Sequence, residues 1–382
     1  MKILSLFDGM ACGALAMQSA EIVIDKYIAY EIDKYAIQTA QHNFPFIEER
    51  GDVFKADFKE YAGFDYLIGG SPCTYWSIAQ TKNRETVASG MGWELFSQYV
   101  RALHEAKPRF FLYENNKSMS AAIRASITET FGFEPILINS ALVSAQNRQR
   151  LYWCGIRQAD GTYKKADIQQ PTDRGILLKD ILETNAVTWQ EKAYTFTTRC
   201  QNAIIDNTLE KQQHTMVAEP VCVAQRGQYD ESGKVYQHYE AQPTGKTNNL
   251  TTVSKDNLIA VNITKDGKAG ILRATYYKDG VRNLIANSID KKTCVAMRVN
   301  EATKAAPIYE VKDGFITVKG NKYPIKLVDG FYIIRKLTVR ECMRLQTVPE
   351  WYEWPVSKSQ AYKMLGNGWT VEVIAHLLRG LK

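Results

Sequence analysis

The sequence predicts an α/β protein, a mostly parallel sheet with helices, joined to a smaller domain that is mostly β or irregular. Three observations carry this. Over residues 1–155 short apolar runs alternate with helix-like segments, the pattern of strand–helix–strand units whose strands pair in parallel. Beyond residue 160 Thr, Asn, Gln and Lys dominate and apolar alternation becomes patchy. Helical periodicity then returns over residues 338–378, so this segment is expected to pack back onto the first domain. The domains read as 1–160 plus 335–382, and 165–330.

In chain order, residues 2–7 are apolar and lead into a glycine-containing turn, and 14–19 have helical character. Residues 22–30 are rich in β-branched and aromatic types, which favour a strand. A short apolar run at 65–68 ends in Gly69-Gly70. Residues 92–106 have helical spacing and stop before Pro108, and 109–113 are again strand-like. Residues 136–142 and 150–156 read as an antiparallel pair joined by polar residues 144–149. In the second domain the strand candidates are Val253, 258–261 and 284–286, between turn signals at Asp266-Gly267 and Asp279-Gly280. Residues 338–346, 359–365 and 371–378 form the closing helices.

Composition narrows the class. The chain has 382 residues, 45% hydrophobic and 23% charged, ordinary for a globular protein whose core needs no disulfide or structural metal. Lys and Arg number 48 against 41 Asp and Glu, a net charge of +7, compatible with a polyanionic partner. Seven cysteines are scattered without a Cys-x-x-Cys pair, so no metal cluster is expected. No stretch approaches the ~18 apolar residues of a membrane span, and the N-terminal apolar run is too short for a signal peptide. A cytoplasmic protein with reduced thiols and no membrane partner is expected.

The chemistry-bearing residues fall at strand ends. Leu6-Phe7-Asp8-Gly9-Met10-Ala11-Cys12-Gly13 places glycines after a strand, where backbone can approach a ligand and a helix N-terminus offers N–H donors. A tight turn with no ligand explains those glycines equally well. Glu31 closes the next strand, where an acid accepts hydrogen bonds from ribose hydroxyls, and Asp52 is placed to bind an adenine amino group. Together they favour a nucleoside-containing cofactor. Ser71-Pro72-Cys73 follows a strand and a glycine pair, which sets the thiol in the crevice where α/β proteins bind ligands. A buried structural cysteine is the alternative; the polar neighbours Thr74, Ser77 and Gln80 argue against it. Glu114, in Tyr113-Glu114-Asn115-Asn116, ends a further strand on the same edge. A thiol beside a carboxyl suits covalent attack assisted by a proton donor. Gln146-Asn147-Arg148-Gln149-Arg150 adds two guanidinium groups that either face this site or form surface ion pairs.

These residues appear in the order of the cytosine-C5 DNA methyltransferase motifs, and the chain resembles that family. The resemblance rests on Phe7-Asp8-Gly9, Glu31, Ser71-Pro72-Cys73, Glu114-Asn115, Gln146-x-Arg148-x-Arg150, Leu337-Thr338-x-Arg340-Glu341-Cys342-x-Arg344-Leu345-Gln346 and Gly366-Asn367-Gly368. It covers residues 1–157 and 335–382. The glycine-turn and Gly69-Gly70-Ser71-Pro72-Cys73 variants are similar to those of animal de novo methyltransferases, while the layout is similar to bacterial and phage enzymes. The resemblance implies a Rossmann-like sheet that binds S-adenosylmethionine, releases S-adenosylhomocysteine and uses no metal. It implies catalytic roles for Cys73 on C6, Glu114 on N3 and the exocyclic amine, and Arg148 on O2 of the cytosine, with Arg150 beside them. Phe7, Asp8, Gly9, Gly13, Glu31, Ile32, Asp52, Val53, Pro72, Leu95 and Asn367 would form the cofactor pocket. The base must leave the duplex stack to be reached, and the loop of residues 77–92 would close over the DNA.

Two departures stand out: Glu114-Asn115-Asn116 replaces Glu-Asn-Val, and Leu345-Gln346-Thr347-Val348-Pro349 replaces Leu-Gln-Gly-Phe-Pro. Residues 165–330 occupy the slot of a target-recognition domain. Gln146, Arg226, Gln228 and Thr251 are candidate DNA contacts, since such side chains bond base edges; ordinary polar loops are an equal reading. Gly245-Lys246-Thr247 is not a phosphate loop, because Glu240 stands where the first glycine is required. Double-stranded DNA is the expected partner, the chain is expected to be a monomer, and a cognate restriction endonuclease fits the family. Rival readings are an RNA (tRNA) cytosine methyltransferase, an inactive DNA-binding relative, and a nicotinamide-dependent oxidoreductase. The size of the second domain opposes the first, the intact Cys73, Glu114 and Arg148 the second, and the unexplained Cys73 the third.

Overall fold

A computed structural model describes residues 1–77, 84–183, 186–198, 203–229, 234–241, 258–260, 271–272 and 307–381. The chain divides into two compact units, one of residues 1–177, 194–201 and 339–382, the other of 178–193 and 202–338. The larger unit thus takes in residues 161–177 and 194–201, beyond the expected boundary at 160.

The larger unit is built on β1 (Lys2–Leu6), β2 (Lys26–Tyr30), β3 (Ile47–Glu49), β4 (Tyr66–Gly69), β5 (Phe110–Asn116), β6 (Ile136–Asn139), β7 (Gln149–Arg157) and β8 (Tyr163–Lys165). They lie in the order β3-β2-β1-β4-β5-β7-β6, with β8 beside β7. The first five pair in parallel; β7 runs antiparallel to β5, β6 and β8. The expected antiparallel pair is therefore present, with Ile136 opposite Tyr152. Four of the five residues of β1 and of β2 are buried, as strands covered on both faces require.

Helices α1 (Cys12–Ser19), α2 (Lys34–Asn43), α3 (Gly90–Ala106) and α4 (Ala121–Phe131) follow β1, β2, β4 and β5. The side chain of Asp33 caps α2, and that of Ser120 caps α4. α1 carries no charged residue and buries Cys12 to Met17, because it is covered on both sides. A Cβ on Gly13 would stand 2.5 Å from Ile68 Cδ1 and from Tyr27 Oη, so glycine lets α1 lie close on the sheet. The unit's three C-terminal helices are α7 (Val339–Leu345), α8 (Lys358–Asn367) and α9 (Val371–Leu381). α9 packs against α1, so the C-terminal segment does return to the first unit.

Thr347 occupies a left-handed conformation, φ 53°, at the position where the resemblance expects glycine. Its hydroxyl donates to Gln346 O at 2.7 Å and accepts from Glu372 N at 2.9 Å. The strain of a β-branched residue at positive φ is offset by a cap on the first turn of α9.

In the smaller unit α5 (Leu178–Ile181) and α6 (Ile205–Lys211) accompany two antiparallel sheets. One is β9 (Met216–Pro220), β14 (Ile308–Lys312), β15 (Phe315–Val318), β16 (Asn321–Pro324) and β17 (Gly330–Lys336), in the order β16-β15-β14-β17-β9. In β15 Ile316 and Val318 are buried while Phe315 and Thr317 are exposed, the two-residue alternation of a sheet with one covered face. The other sheet is β11-β10-β12-β13, from β10 (Cys222–Tyr229), β11 (Val235–Ala241), β12 (Leu258–Ala260) and β13 (Ile271–Leu272). β12 coincides with the candidate at 258–261. Val253, residues 284–286 and the turns at 266–267 and 279–280 lie outside the described residues. No helix among the described residues is long and apolar enough to cross a membrane.

Candidate active site

A cleft of about 250 Å³ opens at the carboxyl edge of the parallel strands, lined by residues that follow β1, β2 and β4, by Glu114 of β5, and by the end of α8. Phe7, Asp8, Gly9, Glu31, Pro72, Glu114, Arg148, Arg150 and Asn367, all expected from the sequence, line it. Phe7 and Gly9 both have left-handed backbone, φ 59° and 61°, so the chain after β1 turns sharply, with Phe7 N and Asp8 N both donating to Tyr30 O.

On the β1–β3 side the cleft is acidic. Gly9 N donates to Glu31 Oε2 at 2.9 Å, and Ile32 N and Asp33 N each donate to Glu31 Oε1 at 2.8 Å. Asp8 Oδ1 accepts from Ser5 Oγ at 2.5 Å and from Tyr27 Oη at 2.6 Å, while Oδ2 is buried without a partner. Burial pushes the Asp8 carboxyl up to about 6, against the pull of those two donors. Glu49, at the end of β3, has both carboxylate oxygens buried and unpartnered. Burial first, then the charges of Asp8 and Glu31, raise it to about 8. Asp8 and Glu31, which line the cleft, fit a cationic ligand; Glu49 does not line it. At the rim Lys363 Nζ donates to Asp33 Oδ2 at 2.6 Å.

On the β5–β7 side the carboxyl is matched. Arg150 Nε lies 3.1 Å from Glu114 Oε1, and Trp369 Nε1 donates to Glu114 Oε2 at 2.9 Å. Glu114 and Arg150 are 12% and 15% exposed, enough to meet a ligand. A Cβ on Gly70 would stand 2.6 Å from Glu114 O and 3.0 Å from its Oε2, so that glycine makes room for the acid. Asn115, buried, donates to Ser71 O at 3.2 Å, and Ser71 Oγ shares a 2.7 Å bond with Tyr113 Oη. These bonds fix the loop that carries Cys73 against the strand that carries Glu114. Asn116, the departure from the family's valine, accepts from Ser118 Oγ at 2.9 Å. The backbone of Cys73 begins a 3-10 turn, Cys73–Tyr75, and its neighbours Pro72 and Thr74 line the cleft.

Several expected residues lie elsewhere. Gly13 serves the packing of α1, as above. Val53 is buried in the core and Leu95 packs against it, because both sit on apolar faces of their segments. Asp52 caps the turn Val53–Lys55, accepting from Phe54 N at 3.0 Å. Ile32 is 77% exposed beside Glu31 and does not line the cleft. Gln146 is buried, its Oε1 accepting from Phe196 N at 3.3 Å, which turns it into the protein. Arg148 lines the cleft, yet its guanidinium donates to Phe196 O (2.8 Å), Gly366 O (3.3 Å) and Gly368 O (2.9 Å). Those bonds tie it to backbone, while the guanidinium 3.1 Å from Glu114 Oε1 is that of Arg150. Arg226 and Gln228 lie in β10; Thr251 is outside the described residues. α3 starts at Gly90, two residues before the expected loop ends, and Glu85 anchors its first turn through Gly92 N at 3.2 Å and Trp76 Nε1 at 3.0 Å. Cys12, Asp33, Lys363 and Trp369 also line the cleft, and the sequence does not single them out. Trp369 adjoins the Gly366-Asn367-Gly368 motif, the signal by which it could have been found. No group of three or more His, Cys, Asp or Glu among the described residues could hold a metal ion.

The glycine turn, the acid after β2 and the polar cleft beyond the parallel strands define an α/β fold with its cleft at the strand ends, where such folds bind ligands. The C-5 cytosine-specific DNA methylase family profile matches residues 1–382, and the chain belongs to this family of DNA cytosine methyltransferases. It is 26% identical to the orphan methyltransferase M.SPRI of Bacillus phage SPR, covering 100% of this chain and 97% of the relative. It is 28% identical to the type II methyltransferase M1.ScrFI of Lactococcus lactis subsp. cremoris, covering 98% and 76%. The crystal structure of the S. pombe Dnmt2 methyltransferase shares the fold at 13% identity and a TM-score of 0.52, covering 100% of this chain and 98% of that one.

Proposed function

We propose that this enzyme methylates C5 of a cytosine flipped out of duplex DNA, with Cys73 as covalent nucleophile and S-adenosylmethionine as donor. The observation that carries the reading is one cleft lined by the neighbours of Cys73, by the Glu114–Arg150 pair and by the acids after β1 and β2. Bound S-adenosylmethionine would supply a methyl group made electrophilic by its sulfonium. Asp8 and Glu31 would hold the cationic and ribose parts of that molecule, with Phe7, Pro72 and Asn367 as walls. Exposed Ile32 is available to cover its adenine.

Cytosine C5 is a poor nucleophile until the ring's conjugation is broken. The Cys73 thiolate adds to C6, forming a C–S bond and moving an electron pair toward C5 and N3. Glu114 supplies a proton or hydrogen bond at N3 and accepts from the exocyclic amine. Arg150 turns its donors to O2, where charge develops. C5 takes the methyl group, the C5 proton leaves to a base, and the returning electron pair expels the Cys73 thiolate. Extrusion of the base costs a few kcal/mol, to be recovered in contacts. The smaller unit, with Arg226 and Gln228 on one strand, supports target recognition in DNA over an RNA substrate.

Bisulfite sequencing of DNA from cells expressing the protein should show 5-methylcytosine in one short sequence context. A duplex with 5-fluorocytosine at that site should give a denaturant-stable protein adduct. Cys73→Ser should abolish the adduct and lower methyl transfer by about 10³-fold or more. An adduct that survives the substitution moves the nucleophile elsewhere.

A further inference from the structure

The motif residues leave one contact to Glu114 unexplained, the indole of Trp369. Arg150 reaches Glu114 through a single nitrogen, Nε on Oε1. The terminal torsion of a glutamate is broad, so one such contact does not fix the carboxyl plane. Trp369 Nε1 supplies the second, at 2.9 Å on the other oxygen. An indole N–H only donates, so it holds Oε2 as an acceptor.

Trp369 is itself set by a rigid turn. Gly368 N donates to Met364 O at 2.7 Å, Thr370 Oγ1 to Gln346 Oε1 at 2.8 Å, and Val371 N to Gln346 O at 2.9 Å. Gly368 O also receives the guanidinium of Arg148. The backbone is therefore pinned on both sides of residue 369, and the indole is aimed by packing and hydrogen bonds remote from the reacting base.

We infer that Trp369 is a positioning residue for methyl transfer: its indole N–H keeps the Glu114 carboxyl oriented when Arg150 leaves it to meet the base. Arg148 buttresses the same turn through Gly368. The two arginines of one motif then serve one carboxyl, Arg150 by contact and Arg148 through the backbone. This rests on the proposed function, in which Glu114 acts on the cytosine ring.

The test is single-turnover transfer of a labelled methyl group to the methylated duplex, in wild type, Trp369→Phe, Glu114→Ala and the double variant. Affinity for S-adenosylhomocysteine is measured by calorimetry in parallel. Trp369→Phe should lower the rate about tenfold, the scale of one hydrogen bond to a charged group, with affinity held within about twofold. In the Glu114→Ala background the same substitution should change the rate by less than about twofold, since no carboxyl is left to orient. Trp369→His, which retains a ring N–H, should recover part of the loss at pH 8. An equal loss in both backgrounds, or an affinity loss matching the rate loss, overturns the inference and makes Trp369 a wall of the pocket. A wild type that transfers no methyl group to cytosine sinks the functional reading and this inference together, whereas an active wild type matched by Trp369→Phe sinks the inference alone.

Discussion

On the β1–β3 side of the cleft Asp8 and Glu49 crowd Glu31, and the charges that act on Glu49 are both negative. On the β5–β7 side Glu114 has a guanidinium on one oxygen and an indole on the other. The same functional group is thus left in electrostatic deficit in one place and saturated in the other. A crowded carboxyl cluster raises the cost of holding its charges and favours a cationic ligand, whereas a matched carboxyl is held in one orientation. Neighbours, not residue type, set the difference between the two groups of acids.

Substitutions can break or sharpen this contrast. The largest effect is expected from Arg148→Met, which removes the donor to Phe196 O, Gly366 O and Gly368 O. Equilibrium denaturation should show a loss of about 3–5 kcal/mol, the scale of a broken buried charged network. Arg150→Met should cost less, about 1–3 kcal/mol, because the largely buried Glu114 carboxyl keeps the Trp369 donor, and should lower the transfer rate. Glu114→Gln should follow, with single-turnover transfer down about 10²–10³-fold and unfolding little changed; an active variant would remove Glu114 from the chemistry.

The acidic side should respond to pH in the opposite sense to an ion-paired carboxylate. Glu49 is raised to about 8 in the folded protein, above its unfolded value, so the folded state binds the extra proton. Its contribution favours folding at low pH and is lost as pH rises from the unfolded value of 4.5 through about 8. Glu49→Gln should therefore stabilise the protein at pH 8 by roughly 1–2 kcal/mol, less than the full shift because the neutral amide is itself buried without hydrogen-bond partners. The gain should vanish below pH 4.5; a gain independent of pH would show that charge is not its cause. Smallest is Lys363→Ala, which removes the exposed pair with Asp33 and should cost about 0.2–1 kcal/mol, less at high salt.

Much of the parallel sheet was legible because its strands are buried on both faces and read as apolar runs closed by glycine or acid. The smaller unit was far less so. In β16 none of Asn321, Lys322, Tyr323 and Pro324 is buried, and β14 buries Val311 alone among its five residues, so hydropathy gives no clear period. Leu95 and Val53 illustrate the limit of motif transfer: position in the chain does not say which face of a segment meets the cleft, and both serve the core.

By itself the sequence determined which chemical groups follow the apolar runs of the parallel strands, where the crevice lies, although β5 continues past its apolar run to Asn116. Only the tertiary structure decided their duties. Arg148 and Arg150 are two apart, a spacing that puts side chains on one face within a strand. β7, however, begins at Gln149, so Arg148 lies outside that rule. Its guanidinium meets carbonyls from residues 48, 218 and 220 positions away, and Trp369 meets Glu114 across 255. Contacts of that separation are set by how elements pack, which no local pattern of residues encodes.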